Sequence, residues 1–114
     1  MDANTTIDAL AALAQPTRLE AFRQLAAAEP QGIAAGELAR RLAVPQNTLS
    51  AHLAVLVRAG LARSERNGRS IVYRPDLPAL RGVLAFLLED CCGGRPEACA
   101  PLLAEPTPCC IPSK

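Results

Sequence analysis

The sequence predicts a mainly α-helical fold with one β-hairpin, on three observations. Half of the 114 residues are hydrophobic but only 3% are aromatic. The core must therefore be built from Leu, Ala, Val and Ile, which suits packed helices better than a β-sandwich. Apolar residues recur every three or four positions through the first half of the chain and again after Asp76. Between these stretches the pattern changes to that of two strands around Asn67-Gly68. The length is that of one domain. A domain this small buries a modest fraction of its surface, so extra burial in a dimer would help it.

The elements follow in order. Thr5 with Asp8 fits a capping box, and Ile7, Leu10, Ala11 and Ala14 recur at helical spacing, which predicts a first helix over residues 5–14. Pro16 suits a first helical position, and Leu19, Phe22, Leu25 and Ala26 form the apolar stripe of a second helix over 16–28. Glu29-Pro30-Gln31-Gly32 breaks it. A short third helix runs from Ala35 to Leu42, and Ala43-Val44-Pro45 makes a tight turn. A fourth helix starts at Gln46, carries Leu49, Leu53 and Leu56 inward and stops at Gly60. Two short helices joined so closely make a helix-turn-helix.

Leu61–Arg66 and Arg69–Arg74 are the strands of a hairpin whose turn is Asn67-Gly68, both residues taking positive φ. Ser70-Ile71-Val72-Tyr73 has the β-branched and aromatic content of a strand. Pro75 ends it and Asp76 caps a fifth helix. Leu80, Val83, Leu84, Leu87, Leu88 and Cys91 give that helix a wide apolar stripe, and Gly93-Gly94 ends it. The five prolines from Pro96 to Pro112 exclude a long helix or a central strand from the tail. The chain thus divides into a domain over residues 1–92 and a Cys- and Pro-rich tail over 93–114.

Net charge is +1, but it is unevenly spread. Residues 40–74 hold seven arginines and one acid, or +6, and the remainder holds five bases and ten acids, or −5. Such asymmetry points to a basic surface for a polyanion. The polar side chains Gln46, Asn47, Thr48, Ser50 and His52 are read on the fourth helix, opposite Leu49, Leu53 and Leu56. A helix entering the DNA major groove needs short polar residues at its N-terminal end. Gln and Asn bond adenine bidentately, and Ser and Thr reach phosphates or bases. Arg40 and Arg41 lie just upstream, with Arg41 placed in the binding surface. Arg66 and Arg69 flank the hairpin tip, where arginine meets phosphate or a narrow minor groove. The alternatives are a solvated polar face, a charged strand edge and a structural role for His52. The order of the elements together favours binding of double-stranded DNA. Enzymatic chemistry is not expected. The single histidine is far in sequence from every cysteine, and no Ser/His/Asp set, phosphate loop or carboxylate pair is evident.

The run ALAQPTRLEAFRQL, followed by ELARRLAVPQNTLSAHLAVLVRAGLARSERNGRSIVYR, resembles the ArsR/SmtB family of metal-responsive repressors. The matching pieces are PTRL at 16–19, LSAHLAVL-x-x-AGL at 49–61 and NGR at 67–69, and the likeness covers about residues 5–92. The resemblance implies a winged helix-turn-helix, a homodimer through the first and last helices, and repression by blocking a promoter. It carries the recognition role to Gln46, Asn47, Thr48, Ser50 and His52, with Arg66 and Arg69 on the wing.

The five cysteines, Cys91, Cys92, Cys99, Cys109 and Cys110, all lie in the last 24 residues. With no secretory signal or membrane span in the sequence, a cytoplasmic location is expected. Reduced thiols there favour ion binding or redox sensing over disulfides. Thiolates select soft or borderline ions such as Cu(I), Zn, Cd or trivalent arsenic. Arsenic keeps a lone pair and is served by three sulfurs. The segment CCGGRPEAC at 91–99 resembles the C-terminal arsenite site of one ArsR branch, which implies Cys91, Cys92 and Cys99 of one subunit as ligands. Arg95 would favour their thiolate forms. Other branches place a C-x-C on the third helix, where this chain reads AAGEL, or His and carboxylates on the last helix, where it has no histidine. The expected function is therefore an arsenite-responsive repressor. The residues leave open antimonite or methylated trivalent arsenic as inducer, a four-thiolate Zn or Cd site using Cys109 or Cys110, Cys91 as plain dimer core, a redox switch, and a thiol-rich metal buffer.

Overall fold

The structure, a computed structural model, describes residues 2–88. Its elements are α1 (Ala3–Leu13), α2 (Pro16–Ala27), β1 (Ile33–Ala34), α3 (Ala35–Leu42), α4 (Gln46–Arg58), β2 (Ala62–Asn67), β3 (Ser70–Pro75) and α5 (Leu77–Leu88). This is the winged helix-turn-helix architecture expected from the element order.

The core is aliphatic, as the composition requires. Leu25, Leu38, Leu49, Leu53, Leu56 and Leu61 are fully buried, with Phe22, Ile33 and Val83 packed among them. Alanines supply the close approaches, notably Ala9 and Ala12 of α1 and Ala21 of α2.

Helix α1 begins earlier than the Thr5–Asp8 box suggested. Asp2 is the cap, its carboxylate accepting from the Thr5 amide at 2.8 Å. This hydrogen bond holds the Asp2 carboxyl below the usual carboxylate range. Its buried face is Thr6, Ala9 and Ala12, and the foreseen stripe of Ile7, Leu10, Ala11 and Ala14 is exposed instead. The same holds in part for α2, where Phe22 and Leu25 are buried but Leu19 is not.

The sheet has the order β1-β3-β2 and is antiparallel throughout. The two-residue strand β1, with Ile33 opposite Tyr73 and Ala34 opposite Val72, was not foreseen. Gly32 leads into it at φ 79°, where a β-carbon would lie 2.8 Å from side-chain atoms of Val72 and Arg74. Only glycine lets the chain pass there.

The hairpin turn sits one residue later than expected. Asn67 pairs with Ser70, so the loop is Gly68-Arg69. Gly68 alone has positive φ, at 67°. Glycine at the first loop position is the type II′ preference, whereas an Asn-Gly type I′ turn needs both residues left-handed.

Helix α5 is capped by Asp76, whose carboxylate accepts from Ala79 N–H at 3.1 Å. Among the described residues of its predicted stripe only Val83 is buried, with Leu80 half-buried against the core, and Cys91 lies outside the described residues. Leu84 and Leu87 face solvent in the single chain. Beside Leu77, Leu80 and Leu84 lies an apolar groove of about 520 Å³.

Candidate nucleic-acid interface

Helices α3 and α4 are joined by Ala43-Val44-Pro45. Ala43 is left-handed at φ 58°, and its amide donates to the Arg40 carbonyl at 3.2 Å while the Val44 amide donates to Ala39. These bonds close α3, and Pro45, extended at φ −61°, opens α4. Three inward leucines then fix which face of α4 is left outside.

On that outer face Gln46, Asn47, Thr48 and Ser50 are exposed. The Asn47 carboxamide oxygen accepts from the Thr48 amide at 2.8 Å and satisfies one donor of the first turn. Pro45 supplies no side-chain cap. The side chain of Gln46 lies over Gly36 of α3, where a β-carbon would come within 3.3 Å of its oxygen. Ala51, one turn beyond Asn47, is exposed on the same face. The sequence offers no sign of it, because an alanine carries no polar signature, yet a methyl group is what contacts the thymine methyl.

His52 is placed differently from its expected outward position. It is half-buried, and its Nδ1 lies 3.3 Å from a terminal nitrogen of Arg18. Position 52 is one turn after Leu49 and adjacent to Leu53, so it flanks the buried face rather than opposing it.

The basic segment sorts into paired and unpaired arginines. Arg41 Nε donates to Glu37 at 2.9 Å, and Arg40 also bonds Glu37. These two guanidinium hydrogen bonds, Arg41's first, hold the Glu37 carboxyl below the ordinary glutamate range. Arg74 donates to Glu29 at 2.9 Å, which raises its own affinity for its proton and pins β3 to the end of α2. Arg58, Arg63, Arg66 and Arg69 form no ion pair among the described residues. Uncompensated positive charge therefore concentrates on the β2–β3 wing and the end of α4. Arg66 and Arg69 stand exposed at the wing tip.

Cys91, Cys92 and Cys99, the expected ion ligands, lie outside the described residues, as does the whole tail over 93–114. Among the described residues no helix is long and apolar enough to cross a membrane.

A helix-turn-helix domain model matches residues 13–65. The chain is similar to the HTH-type transcriptional repressor SmtB of Mycobacterium tuberculosis, 40% identical over 65 residues, which make up 57% of this chain and 46% of that protein. It thus spans about half the length of the curated relatives it matches. It is also similar to the structure of an ArsR-like transcriptional regulator from Rhodococcus sp. RHA1, at 31% identity and a TM-score of 0.69 over 91% of this chain and 96% of that one. A homodimeric winged helix-turn-helix DNA-binding domain from Mycobacterium bovis shares the fold, at 24% identity and a TM-score of 0.61 over 76% of this chain and 81% of that one.

Proposed function

The chain belongs to the ArsR/SmtB family of winged helix-turn-helix transcriptional regulators, and on that premise we propose that it represses transcription by binding operator DNA as a homodimer. Release follows when trivalent arsenic is captured by Cys91, Cys92 and Cys99. The observation that carries the DNA reading is the joint exposure of Gln46, Asn47, Thr48 and Ser50 on α4 with the unpaired arginines of the wing. Gln46 and Asn47 read base edges, Thr48, Ser50 and Arg41 hold the backbone, and Arg66 and Arg69 reach the flanking phosphates or minor groove.

The dimer reading is supported by α1 and α5, which pack together and leave Ile7, Leu10, Leu84 and Leu87 exposed. A second copy would cover these side chains and set two recognition helices about one DNA turn apart. The family is one of DNA-binding regulators, not enzymes.

The inducer reading is supported by the donor chemistry. Three soft sulfurs suit a thiophilic ion of low coordination number, and every cysteine of the chain falls after α5. Capture at the end of a dimerisation helix would change how the paired domains sit on the duplex. Coupling of about 1–3 kcal/mol would weaken DNA binding roughly 5–150-fold.

Footprinting on the chain's own promoter region tests the proposal. The expected result is protection of two half-sites one turn apart, lost on adding arsenite. Loss with peroxide that dithiothreitol restores would move the assignment to a redox repressor. Absence of any protected site would overturn repression itself.

A further inference from the structure

We propose that Arg18 is a positioning residue for DNA recognition: it ties the end of α1 to His52 of α4 and holds that imidazole as its Nε2–H tautomer. The inference rests on the operator-binding reading and adds a residue that touches no DNA.

Arg18 is the third residue of α2, in the turn that the Gln15 side chain caps by accepting from the Arg18 amide at 2.8 Å. Its guanidinium therefore starts from a fixed backbone. Nε donates to the Ala12 carbonyl at 2.6 Å. Ala12 is in the last turn of α1, where carbonyls lack intrahelical donors and the helix dipole favours a cation. The same guanidinium places a terminal nitrogen 3.3 Å from His52 Nδ1.

A guanidinium carries N–H donors and no acceptor. The contact is a hydrogen bond only when Nδ1 is the bare nitrogen, and a neutral imidazole then bears its proton on Nε2. His52 is thereby presented as a donor, the polarity a phosphate oxygen or a base acceptor requires.

Helices α1 and α4 meet in the core through Ala9 and Ala12, but beside that contact they part. Between Asp8 and Ala12 of α1 and Val55 and Arg58 of α4 lies an open cavity of about 310 Å³, with Arg18 in its wall. Val55 and Ala59, half-buried on α4, line it, and His52 lies on the same helix one turn before Val55. Where side chains do not fill the space between two helices, a two-ended guanidinium fixes their relative position. One of those helices carries the exposed Ile7 and Leu10 of the proposed dimer face and the other reads DNA, so Arg18 lies on the route between them.

His52 is the single histidine of the chain, so nitrogen NMR of the free protein above neutral pH reports on one imidazole without assignment. The wild type should show the Nε2–H signature alone. Arg18→Gln should show mixed tautomers and bind operator about tenfold more weakly, as for loss of a hydrogen bond to a charged group, with its dimer state unchanged. Arg18→Lys keeps the charge but cannot reach two acceptors in this geometry, and should behave like Arg18→Gln. An Nδ1–H or mixed signature in the wild type, which needs no variant to fold, would overturn the inference. So would variants that lose the tautomer yet bind operator as tightly as the wild type. Failure of the wild type to bind any duplex would instead overturn the proposed function, and the tautomer measurement would stand apart from it.

Discussion

Helices α4 and α5 are both rich in leucine, yet they use it differently. In α4 the leucines at 49, 53 and 56 are fully buried by the chain itself. In α5 only Val83 is buried, while Leu84 and Leu87 remain 45% and 52% exposed. The helix-turn-helix is thus completed within one chain, and α1 with α5 presents an apolar surface that the described residues leave open. Soluble single chains rarely leave several large side chains open along one helix without a partner to cover them.

Breaking each side of this contrast should give different signatures. Leu53→Ala should lower unfolding stability by about 2–5 kcal/mol through a cavity in the core, read by chemical denaturation. Leu87→Glu should leave the fold largely intact, as surface changes do, but convert the protein to monomers in sedimentation and abolish tight operator binding. Unfolding by Leu87→Glu as severe as that of Leu53→Ala would show that the two regions do not differ as described.

Within the DNA-facing region the two parts should separate by salt dependence. Gln46→Ala should cost about 1–3 kcal/mol and relax sequence preference at one base pair. Arg69→Ala should weaken binding evenly across sequences and reduce the salt slope by about one. Anisotropy titrations over a salt series distinguish them.

Smaller effects sharpen the contrast at the joint between α3 and α4. Ala43 is left-handed and exposed, so Ala43→Gly should stabilise the protein by about 0.5–1 kcal/mol in thermal unfolding. The smallest effect concerns pH. The Glu37 carboxyl is held below its ordinary 4.5 by Arg41 and Arg40. Its folded pKa is depressed, so its contribution is full above that value and is lost as pH falls through the folded pKa. The difference in melting temperature between wild type and Glu37→Gln should shrink toward zero in that acid window.

The contrast also explains what could be read in advance. The bounds of α3 and the start of α4 follow from the residues, because Leu38, Leu49, Leu53 and Leu56 contrast sharply with polar neighbours and Pro45 marks the joint. Helix α1 is alanine-rich, so its two faces differ little in hydropathy. Thr6, Ala9 and Ala12 face the core while Ile7 and Leu10 face outward, which inverts the simple reading. Strand β1 is two residues long and has no periodicity to detect. The hairpin was legible but its turn was not, since register with β3 favoured Gly68-Arg69 over Asn67-Gly68. The exposed polar residues of α4 were legible from spacing. The role of His52 was not, because it depends on Arg18, 34 positions away in sequence.

In the proposed switch, thiols after α5 control what α4 holds. A fluorescence anisotropy titration of the operator complex with arsenite, run in parallel on the wild type and on Cys91→Ser, Cys92→Ser and Cys99→Ser, tests it most directly. The wild type should release its operator while each variant stays bound. Release by all four proteins alike, or by none, would contradict the account.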